Sequence, residues 1–461
     1  MKWLRNRFLL LPYVILLTAL VVVGCTSKQD PSEVLPVCGN HSCGELVMVT
    51  TDTASDGFHY LNPSLSPDGS RILFTGDWWA IPADPRYAGD DQFVNNRQIF
   101  TVPNQVGLQP MKNLASQGAR LTFLQERSIT FGGQSAFLVN LVNDDKSKAI
   151  WQDDNHVIFS LRPTEIGGRY RLTRADITNQ NLAPIEFLYM EPADAFSSPP
   201  FWQHMEPALS PDQRWLAFTR SGCVIPDSFE TCTGTAIWVL DMATAGVNDG
   251  YSGRAFPVTG EYSRLEKPAW SPDGTKLIFS GGLDVAGAGS GAGTELFTVG
   301  FDTTGLGTGS MALDRQLQRL TFTGRSEGDP IAGILNTSPV YSTNGQTVYF
   351  VSTRRAPAIT LHDRNIWRIP ADGGLDPAIH FFTRSDDVDP SVMPDGRLVV
   401  SSAVGFPTEM LIRLEEESYQ RIAAADTQGL DEVQLRKQAN DERRQLEFFT
   451  GVMSHLYIYR P

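Results

Sequence analysis

Positive charge is in short supply: 38 Lys and Arg stand against 52 Asp and Glu, a formal net charge of −14. Nucleic-acid binding needs a basic footprint, so this balance argues against such a partner. Cysteine is scarce too, with five residues, and the Cys-x-x-Cys-His spacing of haem attachment is absent. "AGAGSGAG" at 286–293 lacks the Lys and Ser/Thr of a phosphate loop and is expected to be a flexible hairpin connection. "GRSEG" at 324–328 matches Gly-x-Ser-x-Gly. A nucleophile elbow, however, needs a strand before it, a helix after it, and a later Asp and His on an α/β sheet. Here another strand pattern follows at Pro339, and too little chain remains for a hydrolase domain, so the match reads as accidental.

Long apolar runs are missing except at the start, where Lys2, Arg5 and Arg7 flank an almost unbroken apolar stretch, 8–23, that ends in "VVGC". Such a leader is set aside before the fold is considered. Gly24 then Cys25 after an apolar run is the bacterial lipobox pattern, in which a small residue admits the signal peptidase and the Cys25 thiol is acylated. Residues 1–24 are therefore expected to be a signal peptide and Cys25 the lipidation site. Loss of the three basic residues would leave a mature charge of −17. The competing expectation is an uncleaved anchor, since spanning hydrocarbon takes about 17–25 residues. Thr26, rather than Asp, after the cysteine points to the outer membrane of a bacterial cell envelope.

Four cysteines remain in two close pairs, Cys38 with Cys43 and Cys223 with Cys232. Local disulfides suit an exported chain. A metal site using His41 is the alternative for the first pair, although no second Cys/His pair lies nearby.

The chain repeats a phrase. "NPSLSPDGSRILFTG" begins at Asn62, "EPALSPDQRWLAFTRSG" at Glu206 and "KPAWSPDGTKLIFSGG" at Lys267, with weaker copies at Pro339 and Pro390. A degenerate copy, "KAIWQDDNHVIFS" from Lys148, has lost the Ser-Pro. In each copy a short strand runs into a Pro-Asp-Gly turn, and an alternating strand follows, so each reads as a hairpin. A third strand follows, such as "RQIFTV" at Arg97, "YRLTRA" at Tyr170, "TAIWVL" at Thr235, "TELFTV" at Thr294, "RNIWRI" at Arg364 and "TEMLIRL" at Thr408. A fourth often ends in Leu-Thr or Val-Thr. Four antiparallel strands per repeat predict an all-β, six-bladed β-propeller. "ELVMVTT" at Glu45 is expected to supply the outer strand missing from the sixth blade. The 86-residue gap from Pro63 to Ala149 exceeds the later spacings of 58, 61, 71 and 51. It leaves "SITFGGQSAFLVNLV" open as an extra hairpin or a seventh blade.

The predicted organisation is a signal peptide at 1–24, a tether with an expected disulfide at 25–44, a propeller at 45–414 and a helical C-terminal extension at 415–461. Leu435, Ala439, Leu446, Phe449 and Met453 share a helical stripe interrupted by Glu442, which suits packing on the rim or binding a partner. "HLYIYRP" then ends the chain as an edge strand.

Residues just before each proline are expected to converge at the mouth of the central channel. They nominate His59, His204, Glu206, Glu266, Lys267, Asp387 and Asp389 as ligand candidates. Mixed His and carboxylates suit a divalent metal, a Lys suits an anion, and simple solvation of a strand end is the plainer account.

With its Pro-x-aromatic-Ser-Pro-Asp-Gly phrase followed by Leu-x-Phe-x-Ser, the chain resembles the TolB-like propellers over roughly 45–414. The resemblance implies the fold, and in general terms a protein-contact role. TolB pairs its propeller with an N-terminal α/β domain and contacts a peptidoglycan-associated lipoprotein. This chain departs from that pattern, with only a short tether ahead of its first propeller strand. The function expected first is a non-catalytic, lipid-anchored module that binds an envelope protein or peptide, with no cofactor. The alternative is a metal-dependent polysaccharide lyase or hydrolase at the channel mouth, as in some related propellers. Prolyl-oligopeptidase relatives add a serine hydrolase domain to a propeller, which this chain lacks room for.

Overall fold

The computed structural model describes residues 34–38, 43–50, 58–78, 98–107, 126–131, 134–140, 145–162, 169–178, 185–189, 201–223, 232–246, 254–262, 264–282, 293–303, 312–322, 334–354, 364–374, 376–381, 383, 386–402 and 454–461. The repeat phrase forms the first two strands of each blade. Blade 1 is Phe58–Leu65, Arg71–Trp78 and Gln98–Pro103. Blade 2 is Asp145–Trp151, His156–Arg162, Arg171–Asp176 and Ile185–Phe187. Blade 3 is Phe201–Leu209, Trp215–Cys223, Cys232–Asp241 and Ala255–Pro257, and blade 4 is Arg264–Trp270, Lys276–Gly282, Glu295–Gly300 and Gln318–Arg319. Blade 5 is Asn336–Tyr341, Thr347–Ser352, Asn365–Pro370 and Ala378–Phe381.

Blade 6 closes the ring with both ends of the chain. Asp387–Val392 and Leu398–Ser402 are followed by the C-terminal strand His455–Arg460, then by the N-terminal strands Cys43–Met48 and Val34–Cys38. Leu46 pairs with Tyr459 and Met48 with Tyr457. The predicted outer strand from Glu45 is thus found. The third strand differs from the expectation: "HLYIYR" occupies the place assigned to "TEMLIRL" at Thr408, so 454–461 belongs to the blade and not to an extension. Both segments alternate in polarity, and the choice rests on which one completes the Leu398–Tyr459 and Val400–Tyr457 pairing. Residue 408 and the expected helix at 415–453 lie outside the described residues.

First strands of successive blades touch one another in a closed circuit of six, from blade 1 through blade 6 and back. Among the described residues the strands Glu126–Phe131 and Gln134–Asn140 pair with each other alone, as an extra hairpin and not a seventh blade. Apolar clusters fill the spaces between blades: Tyr60, Phe74, Val399 and Leu456 join blades 1 and 6, and Ala217, Val239, Leu277 and Phe279 join blades 3 and 4. Among the described residues no helix is long and apolar enough to cross a membrane. The segments 8–23, 286–292 and 324–328 lie outside them.

The repeat phrase has a structural account. Ser66 Oγ donates to Asp68 Oδ1 (2.5 Å) and accepts from the Arg71 N–H (2.9 Å), tying the corner shut. The same arrangement recurs at Ser210, Ser271 and Ser342, with Asn344 in the place of Asp in the last. Gly69, Gly274 and Gly345 take φ of +69° to +71°, which glycine adopts without a Cβ clash. The aromatic joins blades: Trp270 Nε1 donates to the Ala208 carbonyl (2.9 Å), and Trp151 Nε1 donates to the Ser64 carbonyl (3.1 Å).

Candidate functional site

Each innermost strand carries a β-bulge at the residues that precede its second half. In blade 4 the register passes from Glu266–Ser280 to Ala269–Ile278, so Lys267 and Pro268 together face Phe279. The same shift places Asn62, Glu206, Ser338 and Asp389 beside their prolines, and Lys148 beside Ala149. A bulge re-aims a side chain. Five of these residues have left-handed backbones: Asn62 at φ 49°, Glu206 at 56°, Lys267 at 54°, Ser338 at 50° and Asp389 at 51°. For non-glycine residues this costs of order 1–2 kcal/mol each. The bulged strands, paired on one side and packed on the next blade on the other, hold the conformation in place.

The result is a ring of six side chains, one per blade, around the channel waist. Lys267 Nζ donates to Ser338 Oγ (2.7 Å) and lies 3.1 Å from Asp389 Oδ1. Asp389 Oδ2 accepts the Asn62 N–H (3.2 Å). Glu206 Oε2 accepts the Lys267 N–H (2.5 Å) and the Thr219 hydroxyl (3.2 Å). Asn62, Lys148, Lys267, Ser338 and Asp389 line a cavity of ≈ 150 Å³, whose walls continue through Ser64, Ile150, Val340 and Ser391. The cavity therefore opens from the ring towards the Ser-Pro-Asp-Gly corners, whereas the sequence pointed to the loops on the other side.

Charge at the waist is strongly shaped by the enclosure. Burial, followed by the neighbouring Glu266, pushes the Glu206 carboxyl up despite Lys267 and Lys148. Burial also lowers the Lys148 amine, a loss only partly offset by Glu206 and Asp389. For Lys267 burial works in the same direction, but Asp389, Glu206 and Glu266 outweigh it and raise its pKa. Burial opposes ionisation of Asp389 as well, yet Lys267 and the Asn62 N–H hold its carboxyl below the ordinary value. Two ammonium groups thus share the waist with one firmly ionised carboxylate and one whose ionisation is disfavoured.

Of the residues nominated from sequence, Glu206, Lys267 and Asp389 meet in this ring. Glu266 stands one residue further out, bound to Arg264 (3.0 Å) and accepting from Thr337 (3.3 Å). His204 does not face the channel. It is fully buried between Tyr189 and Phe218, with ring centroids at 5.1 and 5.5 Å. Asp387 is buried inside blade 6, accepting from Ser402 Oγ (2.6 Å) and from Thr383 N and Oγ1 (3.0 Å each). Tyr60, Leu265 and Asn336, which occupy the same repeat position as His204 and Asp387, are buried too. Two residues ahead of the ring the strand faces the blade packing, and the bulge alone brings the next candidate to the channel. His59 is placed by its strand pairing with Asp77. Asn62, Lys148 and Ser338 were missed, although aligning the residue before each proline, and Lys148 before Ala149, would have found them.

A divalent cation does not fit the waist as built. The Lys267 ammonium already holds the Asp389 carboxylate, Lys148 adds a second positive group, and the His204 imidazole is packed away from the ring. Among the described residues no three His, Cys, Asp or Glu form a metal-binding group.

No protein-family model matches the chain, and no curated protein matches it. Solved structures do. The chain is similar to TolB from Acinetobacter baumannii at 14% identity, over 84% of this chain and 87% of that one, with a TM-score of 0.35. It is similar to an oligogalacturonate lyase in complex with manganese at 13% identity, over 81% and 95% of the two chains, with a TM-score of 0.43. A puromycin-hydrolysing peptidase from Mycobacterium tuberculosis matches at 13% identity over 76% of this chain, with a TM-score of 0.42. This chain covers only 44% of that peptidase.

Proposed function

We propose that the protein is a non-catalytic, lipid-anchored propeller of the bacterial cell envelope, which binds an envelope protein or peptide at its channel waist. The observation that carries this reading is the ring itself. Five non-glycine residues hold left-handed backbones at one repeat position, and four of them, Asn62, Lys267, Ser338 and Asp389, line one cavity. Strain repeated at one level around an axis favours a site. Lys267, Asp389 and Glu206 are engaged with one another, which suits recognition of a polar group more than proton transfer.

Anchoring through Cys25 at the outer membrane rests on the lipobox pattern. Disulfides Cys38–Cys43 and Cys223–Cys232 suit the same oxidising compartment. Both pairs stand directly opposite in antiparallel register, the geometry in which two sulfurs can be bridged. The metal-dependent enzyme remains the second reading only through the sequence-level candidates, since His204 is packed away from Glu206's neighbours in the ring.

The test is affinity capture of the full-length protein from crosslinked envelopes, comparing the native chain with Lys148→Met. A discrete protein partner, depleted in the variant, is the expected outcome. Equal recovery of partners by both proteins, or none by either, would contradict the reading, and metal analysis with glycan screening would then decide for the enzyme.

A further inference from the structure

The waist holds a positive group that its neighbours leave unsatisfied. Lys148 lines the cavity from blade 2, and among the described residues its ammonium makes no hydrogen bond and no ion pair within 4.0 Å. Beside it on blade 1, Asn62 lines the same cavity, and among the described residues only its backbone N–H is engaged, by Asp389. The acids nearby are already taken. Asp389 is held by Lys267, Ser338 and the Asn62 N–H, and Glu206 by the Lys267 N–H and Thr219. Glu266 pairs with Arg264 further out. Lys148 is half-buried, and Glu206 and Asp389 offset its desolvation only in part; a partly desolvated cation with no hydrogen-bonded partner is costly, and a bound anion would reduce that cost.

We propose that the waist cavity is a carboxylate-binding site, in which the Lys148 ammonium and the Asn62 carboxamide receive a single acidic side chain or chain terminus of the bound protein. Volume and charge select this class. A cavity of about 150 Å³ accommodates a molecule of benzene size, so an acetate or the end of a glutamate side chain fits. One unmatched positive charge suits a monoanion, whereas the flanking Glu206 and Asp389 repel a phosphate dianion. Burial lowers the Lys148 amine, and an adjoining carboxylate raises it again, so the anion and the proton on Lys148 bind cooperatively. The inference deepens the binding reading above and rests on it for the source of the carboxylate.

The experiment is isothermal titration of the detergent-solubilised full-length protein with sodium acetate against sodium chloride at matched ionic strength. Lys148→Met, Lys148→Arg and Asn62→Gly are titrated beside it. Glycine at position 62 keeps the left-handed backbone while removing the amide, so this variant retains the fold if Lys148→Met does not. The native protein is expected to bind acetate saturably and chloride not at all. Affinity should fall about tenfold or more in Lys148→Met, a difference of ~1.4 kcal/mol, fall several-fold in Asn62→Gly and persist in Lys148→Arg. Absence of saturable acetate binding, or native affinity in both Lys148→Met and Asn62→Gly, would overturn the proposal. A second arm titrates glutamate-ended peptides with free and amidated carboxyls. Competition by acetate assigns the peptide to this cavity, and binding insensitive to acetate and to Lys148→Met overturns it. Acetate binding without any captured partner would leave the carboxylate site standing while the protein-binding reading fails.

Discussion

Lys267 of blade 4 reaches past blade 5 to Asp389 of blade 6, 3.1 Å away, with Ser338 of the intervening blade accepting from the same ammonium at 2.7 Å. The side chains are 27% and 11% exposed, so the pair is enclosed without being dry. Three blades are thereby tied together at the axis, where backbone pairing joins none of them. Breaking a fully buried pair costs roughly 3–5 kcal/mol, and the residual exposure reduces the expectation for Lys267→Met to about 1–3 kcal/mol. Urea denaturation should show that loss, with much of it recovered when Asp389→Leu is added. Equal stability of Lys267→Met and the native protein would contradict the tie.

Asp387 should impose a pH dependence of its own. Burial pushes its carboxyl up to about 7, against the opposing bonds from Ser402 and Thr383. Because the folded pKa lies above the ordinary value of 3.8, the folded state holds the proton more firmly. Stability from this group therefore falls as pH rises from about 4 to about 7, with a slope of at most ~1.4 kcal/mol per unit. Asp389 acts in the opposite sense, since its lowered pKa contributes stability above the ordinary value that is lost on acidification. Denaturation curves of Asp387→Asn are expected to lose the decline between pH 4 and 7. Retention of the full slope in this variant would place its origin elsewhere.

The inter-blade role of the repeated aromatic is open to a direct test. Trp270→Phe removes the donor to the Ala208 carbonyl and leaves most of the ring packing with Phe301. A loss of about 1–2 kcal/mol is expected in thermal or urea unfolding. No loss would mean that the indole nitrogen contributes nothing to holding blades 3 and 4.

The paired cysteines make a chemical prediction. Cys223 and Cys232 face each other at the end of a hairpin in blade 3, and Cys38 faces Cys43 in blade 6. Alkylation of the denatured, unreduced mature protein should leave all four unmodified, and reduction should expose them. Cys232→Ser is expected to lower stability by about 2–3 kcal/mol, as for closure of a short loop. Free thiols without reduction would contradict both bridges.

Much of the architecture was legible because each copy of the phrase carries its own geometry. Pro63 and Gly69 mark the bulge and the corner of blade 1, and Phe74 marks the buried strand that follows the corner. The sixth blade was only half legible, because His455–Arg460 returns to pair with Leu398–Ser402 from far along the chain. Alternation alone cannot distinguish that strand from the nearer segment at 408. At the site, Glu206, Lys267 and Asp389 stood out as charged residues before prolines. Asn62 and Ser338 occupy equivalent places but carry no conspicuous chemistry, and Lys148 precedes an alanine. His204 misled for a physical reason: a strand's simple alternation is broken at its bulge, so a histidine two residues away turns into the aromatic packing.

The central claim is that a protein partner enters the channel waist. Its most direct test is a photoreactive residue at Ser391, on the cavity wall, irradiated in intact envelopes. The account predicts one discrete adduct with an envelope protein, abolished by Lys148→Met. Efficient incorporation at a folded propeller with no protein adduct, or an adduct indifferent to Lys148, would contradict it.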